Sequence, residues 1–119
     1  MTFDEFIGVT YHDDNVATID IEPHHCTPTG NINGGVLISI ADNLSTGAAG
    51  RGYFEKTGEE KFLVGVDLHA VMMANQLGGR IRASSQPVKV GRRIVVVRTE
   101  VTGEDDRLLA VVTTTHVPN

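Results

Sequence analysis

Residues 33–42 read Asn-Gly-Gly-Val-Leu-Ile-Ser-Ile-Ala-Asp. Two glycines, Gly34 and Gly35, are followed by an apolar run that ends at the carboxylate of Asp42. Apolar residues go on recurring about every fourth position, so the pattern predicts a helix from Gly35 to about Gly50. The first turn of a helix offers free N–H groups with partial positive charge, which suit an oxyanion. Because an acid on an apolar helix is costly to bury, the stretch predicts polar chemistry on a carbonyl.

Strand patterns surround this helix. Residues Val16–Ile21 alternate between apolar and polar and predict a first strand. We interpret Arg51–Lys61, rich in glycine and charge, as a loop. Four more strand-like segments follow, separated by Gly-containing turns: Phe62–Met73, Gly79–Val90, Arg92–Val101 and Leu108–Val117. This spacing predicts a meander of antiparallel hairpins. Residues 1–119 therefore predict a single α+β domain, a long helix wrapped by a curved antiparallel sheet.

Composition restricts the partners that we expect. The 119 residues fit one domain, and the net charge of −5 argues against nucleic-acid binding. No apolar run approaches the length of a membrane span, so we expect no membrane partner. The first six residues lack the basic and apolar pattern of a signal peptide. Cys26 is the only cysteine, so no internal disulfide can form, and we expect a cytoplasmic protein.

Residues 25–46 resemble the signature of the hotdog-fold acyl-CoA thioesterases of the phenylacetate-degradation type. That signature places an Asn or Gln three positions before a Gly, then His-Gly-Gly after two further residues, then an acid eight residues past the first Gly of the pair. Here Gly30, the pair at Gly34 and the acid Asp42 keep this spacing. The resemblance continues into the later strands and covers the chain from about Val16. It implies the hotdog fold and the hydrolysis of acyl-CoA thioesters.

The resemblance also implies roles for individual residues. Asp42 falls at the position of the catalytic acid, which acts as a nucleophile or as a general base toward water. The Gly34 amide falls where the family polarises the thioester carbonyl, with Gly35 beside it. Thr46 lies where related enzymes place a hydroxyl that assists the acid or the water. Gly65 stands where some relatives carry a Ser next to the acid.

Two positions depart from the signature. Asn33 stands where the family has His, and it can donate a hydrogen bond but cannot titrate near neutrality. Thr27 stands where the family has Asn or Gln, and it offers one hydroxyl instead of an amide. Both remain candidate site residues. They also favour an alternative function, that of an acyl-CoA binding or sensing protein without turnover. A hydratase of the same fold is a third possibility, although those enzymes usually pair a His with the acid.

A basic cluster surrounds a predicted hairpin turn. Lys89, Arg92 and Arg93 surround the turn Val90-Gly91, and we expect this turn to bind coenzyme A and the cluster to contact its phosphates. The alternative is a charged turn that only keeps the protein soluble. Coenzyme A would be part of the substrate, and no separate cofactor is expected.

The spacing within the helix predicts an oligomer. Gly34 and Asp42 are eight residues apart, which is about 12 Å along a helix. Groups that act on one carbonyl must both lie roughly 3 Å from it, so one helix cannot supply both. We therefore predict a homodimer with two equivalent sites, and pairing of two dimers into a homotetramer.

Simpler interpretations exist for several of these residues. Asp42 and Thr46 fit the polar side of an amphipathic helix. The run His24-His25-Cys26 suggests zinc, but adjacent residues rarely chelate one ion, so we expect no metal site. We interpret His25 as a surface loop residue.

Overall fold

The computed structural model describes all 119 residues, which form two α-helices, six strands and two short 3-10 helices, Pro23–His25 and Glu104–Asp106. In chain order the elements are α1 (Phe3–Ile7), β1 (Val9–His12), β2 (Val16–Asp20), α2 (Gly34–Thr57), β3 (Leu63–Met72), β4 (Arg80–Val90), β5 (Val95–Thr102) and β6 (Leu108–Pro118). All strands pair antiparallel in one curved sheet, and α2 packs on it. The predicted α+β hotdog architecture is confirmed. Neither helix combines the length and the apolar character that crossing a membrane requires.

The order of the strands is β1-β2-β4-β5-β6-β3. β4, β5 and β6 form the predicted meander, but the prediction was wrong for β3, which pairs with β6 at the far edge instead of with β4. The segment after β3 is not a hairpin turn. The side-chain amide of Asn75 donates to the Ile32 carbonyl and accepts from the Ile32 N–H, at 2.9 and 3.0 Å. This pair of bonds ties the segment to the residues just before α2.

The long helix runs to Thr57, so interpreting its last seven residues as a loop was wrong. The reason is tertiary packing. Tyr53 is buried in a cluster with Ala48, Ala49, Leu63, Val95 and Val97. This burial offsets the penalty of about 1 kcal/mol for a glycine such as Gly52 inside a helix. The helix ends at Gly58, whose φ of 75° is left-handed and suits a residue without a Cβ.

The first half of α2 supplies one side of the main core. Leu37, Ile40, Ala41 and Leu44 pack against buried residues of β2, β4, β5 and β6, among them Ile19, Ile81, Val101 and Leu109. Burial of these side chains fixes the rotation of the helix. Asp42 consequently lies on the exposed side of α2.

The N-terminal segment, absent from the prediction, is tied to α2 close to Asp42. Thr2 caps α1 in a capping box with Glu5. The carboxylate of Asp4 accepts from Tyr11 Oη at 2.9 Å and from Asn43 Nδ2 at 2.8 Å. Together these bonds connect α1, β1 and α2.

The interpretation of His25 as a surface residue was wrong, because its side chain is buried. Its Nδ1 accepts from the Glu22 N–H at 2.9 Å, so Nε2 carries the proton and donates to the Ile7 carbonyl at 2.8 Å. The imidazole thus joins the segment before α2 to the end of α1, a structural role.

Candidate active site

The start of α2 leaves one backbone donor free. Asn33 is the N-cap, with φ −62° and ψ 129°, and its Oδ1 accepts from the Gly35 N–H at 2.8 Å. The Gly34 N–H has no acceptor within the chain. Asn33 therefore acts as a helix cap in this structure, and the amide beside it remains available to a carbonyl oxygen.

Thr27 lies in the turn that precedes the helix. The Gly30 N–H donates to the Thr27 carbonyl at 2.9 Å, and the hydroxyls of Thr27 and Thr29 are 2.8 Å apart. The Thr27 hydroxyl is therefore already engaged inside its own turn. Its predicted contact with substrate or water stays a prediction.

The carboxylate of Asp42 is unpaired. It is exposed, and no side chain or backbone group of the same chain donates to it. The hydroxyl of Thr46 donates instead to the Asp42 main-chain carbonyl at 3.0 Å. Thr46 therefore lies one turn past the acid, as expected, but its proton is used by the helix backbone.

Gly65 and His116 lie next to Asp42. Gly65 pairs with His116 across β3 and β6, and the register shifts immediately afterwards, between Gly65 and Asp67. A Cβ on Gly65 would stand 3.9 Å from Asp42 Oδ1 and 3.7 Å from His116 Nδ1. The fold therefore gathers an acid, an imidazole and an irregular strand edge at one point. Such strand irregularities are frequent beside active sites.

His116 was missed in the sequence, although a signal for it existed. Alternate residues of β6 face the helix, namely Ala110, Val112, Thr114 and His116, and all are buried. The pattern thus placed a histidine on the inner face. Its Nε2 lies 2.8 Å from Thr114 Oγ1, whereas its buried Nδ1 has no partner. Burial lowers the pKa of His116, and the nearby Asp42 carboxylate partly opposes this shift.

The other end of β3 lies beside the helix start. A Cβ on Gly34 would stand 3.2 Å from Met72 Cε. Gly65, near the start of β3, therefore lies beside Asp42, and Met72, at its end, lies beside the free Gly34 amide. The two candidate catalytic groups are at opposite ends of one strand.

The predicted basic cluster lies on the hairpin between β4 and β5. The Gly91 N–H donates to the Ile94 carbonyl at 2.9 Å, which closes the turn. Lys89 and Arg92 are exposed and form no ion pair. Val90 packs against α2, since a Cβ on Gly52 would stand 3.4 Å from its Cγ2. The free cations therefore lie near the later turns of α2.

A family model described as the thioesterase superfamily matches residues 29–110, which include α2 and β3–β5. The chain belongs to the thioesterase superfamily. Membership accounts for the architecture, and the match contains both Gly34 and Asp42.

Curated proteins are similar to this chain in sequence, and solved structures are similar to it in fold. The 1,4-dihydroxy-2-naphthoyl-CoA hydrolase of Escherichia coli is 30% identical over 92 residues, which is 77% of this chain. The match spans 65% of that hydrolase and 66% of another curated relative, so the chain corresponds to slightly less than two thirds of either protein. A Mycobacterium tuberculosis protein, described provisionally as an esterase, superposes with a TM-score of 0.90 at 21% identity, over 98% of this chain and 95% of that one.

One further structure of the same fold is described with CoA. The BH2602 protein of Bacillus halodurans superposes with a TM-score of 0.85 at 17% identity, over 96% of this chain and 73% of that one. At these identities the structural matches establish the fold.

Asp42 lines none of the five main surface depressions of this thioesterase-superfamily chain. The largest surface depression, about 700 Å³, lies against later turns of α2 at Gly47, Gly50 and Phe54. No three His, Cys, Asp or Glu side chains are grouped as a metal site would require. The thiol of Cys26 donates to the Glu22 carbonyl at 3.6 Å.

Proposed function

We propose that the protein hydrolyses an acyl-CoA thioester at a site shared by two subunits. The observation that carries the proposal is the pair of unsatisfied groups on α2. These are the exposed Asp42 carboxylate beside Gly65 and the free Gly34 N–H beside Met72. Membership of the thioesterase superfamily supports thioester hydrolysis as the reaction.

The geometry of β3 supports a two-fold dimer. If two β3 strands pair antiparallel with their axis between Leu68 and His69, Gly65 of one subunit lies opposite Met72 of the other. Asp42 of the first subunit then approaches Gly34 of the second. Gly34 and Asp42 are about 12 Å apart within one helix. In the dimer, the two groups at one site come from different subunits, so this separation no longer matters.

The surface of β3 also favours pairing. β3 is an edge strand of ten residues. Four of its apolar side chains are between 39% and 60% exposed, namely Val66, Leu68, Val71 and Met72. Monomeric proteins usually guard such edges with charge, proline or a covering segment. A second copy that pairs with β3 would cover both the main-chain groups and these side chains, and two such dimers would form the predicted tetramer.

The proposed chemistry follows from the two groups. The carbonyl oxygen of the thioester accepts from the Gly34 N–H of one subunit, which stabilises negative charge as it develops. Asp42 of the other subunit attacks the carbonyl carbon or deprotonates a water molecule that does so. The carbon–sulfur bond then breaks, and coenzyme A departs as the thiol with the proton that Asp42 took from water or, after covalent attack, with a proton from solvent. In the covalent route, water then hydrolyses the mixed anhydride to release the acid and free Asp42.

The substrate class is supported by the basic hairpin. Lys89 and Arg92 are exposed cations without partners in a chain of net charge −5, and they match the phosphates of coenzyme A. The similarity to a naphthoyl-CoA hydrolase agrees with this choice.

The test is thiol release from a panel of aryl and aliphatic acyl-CoA esters by the wild type and by Asp42→Asn. The carboxamide keeps the size of the side chain and removes its charge, so the variant should stay folded. We expect its kcat to fall at least 100-fold, because it can neither attack nor accept a proton. A variant that retains wild-type turnover would contradict the proposal.

The second candidate function is acyl-CoA binding without turnover. It is favoured by the engagement of Asn33 Oδ1 with the Gly35 N–H and of the Thr27 hydroxyl with that of Thr29, because each bond occupies an oxygen that could otherwise orient water. The same panel separates the two functions. A binding protein would show a rise in its thermal midpoint with acyl-CoA esters and would release no thiol.

A further inference from the structure

The strongest unexplained feature of the molecule is the buried Nδ1 of His116. The His116 side chain is fully buried, and Nδ1 has no hydrogen-bond partner in the chain. Buried polar atoms are nearly always paired, and an exception calls for a structural or catalytic reason. Nothing in the fold requires a histidine here, because its neighbours on the inner face of β6 are Thr114, Val112 and Ala110.

The hydrogen bonds of His116 determine what Nδ1 can do. The Thr114 hydroxyl donates to the Val97 carbonyl at 3.5 Å, and we assign its 2.8 Å contact with His116 Nε2 to a bond that the hydroxyl oxygen accepts. The proton is then on Nε2, and Nδ1 presents a lone pair. A lone pair and the Asp42 carboxylate are both acceptors. Only a donor with two protons can satisfy both at once.

Gly65 leaves room for such a donor. The position of a Cβ on Gly65 is 3.7 Å from His116 Nδ1 and 3.9 Å from Asp42 Oδ1. Both atoms therefore border the space beside Gly65 Cα, and a water oxygen that serves both must lie in that space within hydrogen-bond length of each. A side chain at this position would occupy that space.

We propose that His116 is a positioning residue that holds, together with Asp42, the water molecule that attacks the thioester. This inference rests on the proposed function and selects general-base hydrolysis over covalent attack. The water donates one proton to His116 Nδ1 and the other to Asp42, so that its lone pair is directed away from both toward the carbonyl carbon. The water oxygen forms a bond to that carbon while Asp42 takes a proton. The carbon–sulfur bond breaks, and the proton passes to the departing thiolate.

Two substitutions of His116 test the role. His116→Asn keeps a polar group near the position of Nδ1, whereas His116→Leu keeps the size and removes it. We expect His116→Leu to lower kcat by 10- to 100-fold with KM changed less than threefold, and His116→Asn to keep at least a third of kcat. Thermal midpoints and oligomeric state are measured for each variant. A loss that is equal in both variants and follows their stability would overturn the role.

Gly65→Ala tests the same water from the opposite side. Its methyl group would make ordinary contacts of 3.7 and 3.9 Å, so the fold should tolerate it. We expect a fall in kcat similar to that of His116→Leu, and no further fall in the double variant, because both changes displace one water. Gly50→Ala on α2, where a Cβ would be 3.9 Å from the Lys61 carbonyl, is the control and should keep wild-type kcat.

The wild type separates this inference from the proposed function. If it releases no thiol from any acyl-CoA, the proposed function fails and the His116 role fails with it. If the wild type is active, Asp42→Asn is inactive and His116→Leu retains wild-type kcat, only the His116 role is overturned. A single turnover in ¹⁸O-labelled water gives a second readout. Label should enter the released acid and not Asp42, and labelled Asp42 would overturn the water mechanism.

Discussion

At the scale of single residues, the candidate site depends on atoms that lack partners. Gly34 N–H, the Asp42 carboxylate and His116 Nδ1 are unsatisfied within the chain, whereas Asn33 Oδ1 and the Thr27 hydroxyl are engaged. An unpaired donor or acceptor at a surface or cleft is available to a ligand, and a paired one must first give up its partner. Atoms without hydrogen-bond partners therefore indicate the reacting groups better than the residue types alone do.

The Gly34 amide can be removed without altering the helix. Proline is favoured at the first helical position, and Asn33 already has the extended backbone that a residue before proline requires. We expect Gly34→Pro to lower kcat by about 100-fold, as loss of one oxyanion donor does elsewhere. Gly34→Ala is the control, because it adds the same Cβ beside Met72 and keeps the N–H. Equal kcat values for the two variants would remove the amide from the mechanism.

Burial of His116 makes stability depend on pH. The pKa of His116 is lowered in the folded chain by burial, with Asp42 on α2 as the one charged group that opposes this, while Gly65 and Val95 across the strands are neutral. The unfolded chain therefore binds a proton on His116 more readily than the folded chain does. The contribution of His116 to the free energy of unfolding is complete above a pH of about 6.5 and is lost as the pH falls below that value. The free energy of unfolding changes through this one group by at most about 1.4 kcal/mol per pH unit.

This prediction is measured by denaturant unfolding at pH 7.5 and pH 5.5, at fixed protein concentration. His116→Gln, which cannot titrate, should lose less stability between the two pH values than the wild type does. The same loss in both proteins would mean that other groups carry the dependence.

At the scale of elements, the hairpin between β4 and β5 is expected to act on binding only. Arg92→Ala should raise KM for acyl-CoA about tenfold through loss of a phosphate contact, and leave kcat unchanged. It should not affect the N-acetylcysteamine thioester of the same acid, which has no phosphate. Arg98→Ala on β5 is the control, since Arg98 already pairs with Glu100 at 3.2 Å. A KM increase for both thioesters would contradict phosphate recognition.

The elements also show what periodicity can and cannot predict. Alternation located β2–β6 within a few residues, and the apolar repeat located the first four turns of α2. The end of α2 depended on the burial of Tyr53 by β3 and β5, which no local pattern contains. The pairing of β3 with β6 was likewise a long-range outcome, set in part by Asn75 binding Ile32.

The candidate site, like the fold, was predictable from the sequence only where its residues lie within one element. The spacing from Gly34 to Asp42 lies within one helix, so sequence alone could identify it. The contact of Asp42 with Gly65 and His116 joins α2, β3 and β6, and only the folded sheet brings these together. The short α1 had a local signal in the Thr2–Glu5 capping box, but its five residues are too few for a periodic pattern.

At the scale of the whole molecule, a shared site predicts complementation between inactive subunits. Gly34→Pro and Asp42→Asn homodimers each lack one group at both sites. A mixed dimer has one site with both groups intact and one with neither, so it should recover about half of the wild-type activity. The two chains are co-expressed with different affinity tags, and the doubly tagged species is assayed for thiol release. A mixed dimer as inactive as its parents would mean that each site is built by one subunit.

The exposed edge of β3 has a consequence for the life of the chain before the proposed dimer forms. A newly synthesised chain presents ten residues of strand with open main-chain donors and acceptors and with apolar side chains on both faces. The same edge can accept any extended segment, so correct assembly competes with aggregation. A low concentration of the chain favours neither pairing nor aggregation, because both need a second molecule. A high concentration of unrelated unfolded chains favours aggregation. The yield of active protein should therefore depend on how quickly two identical copies meet.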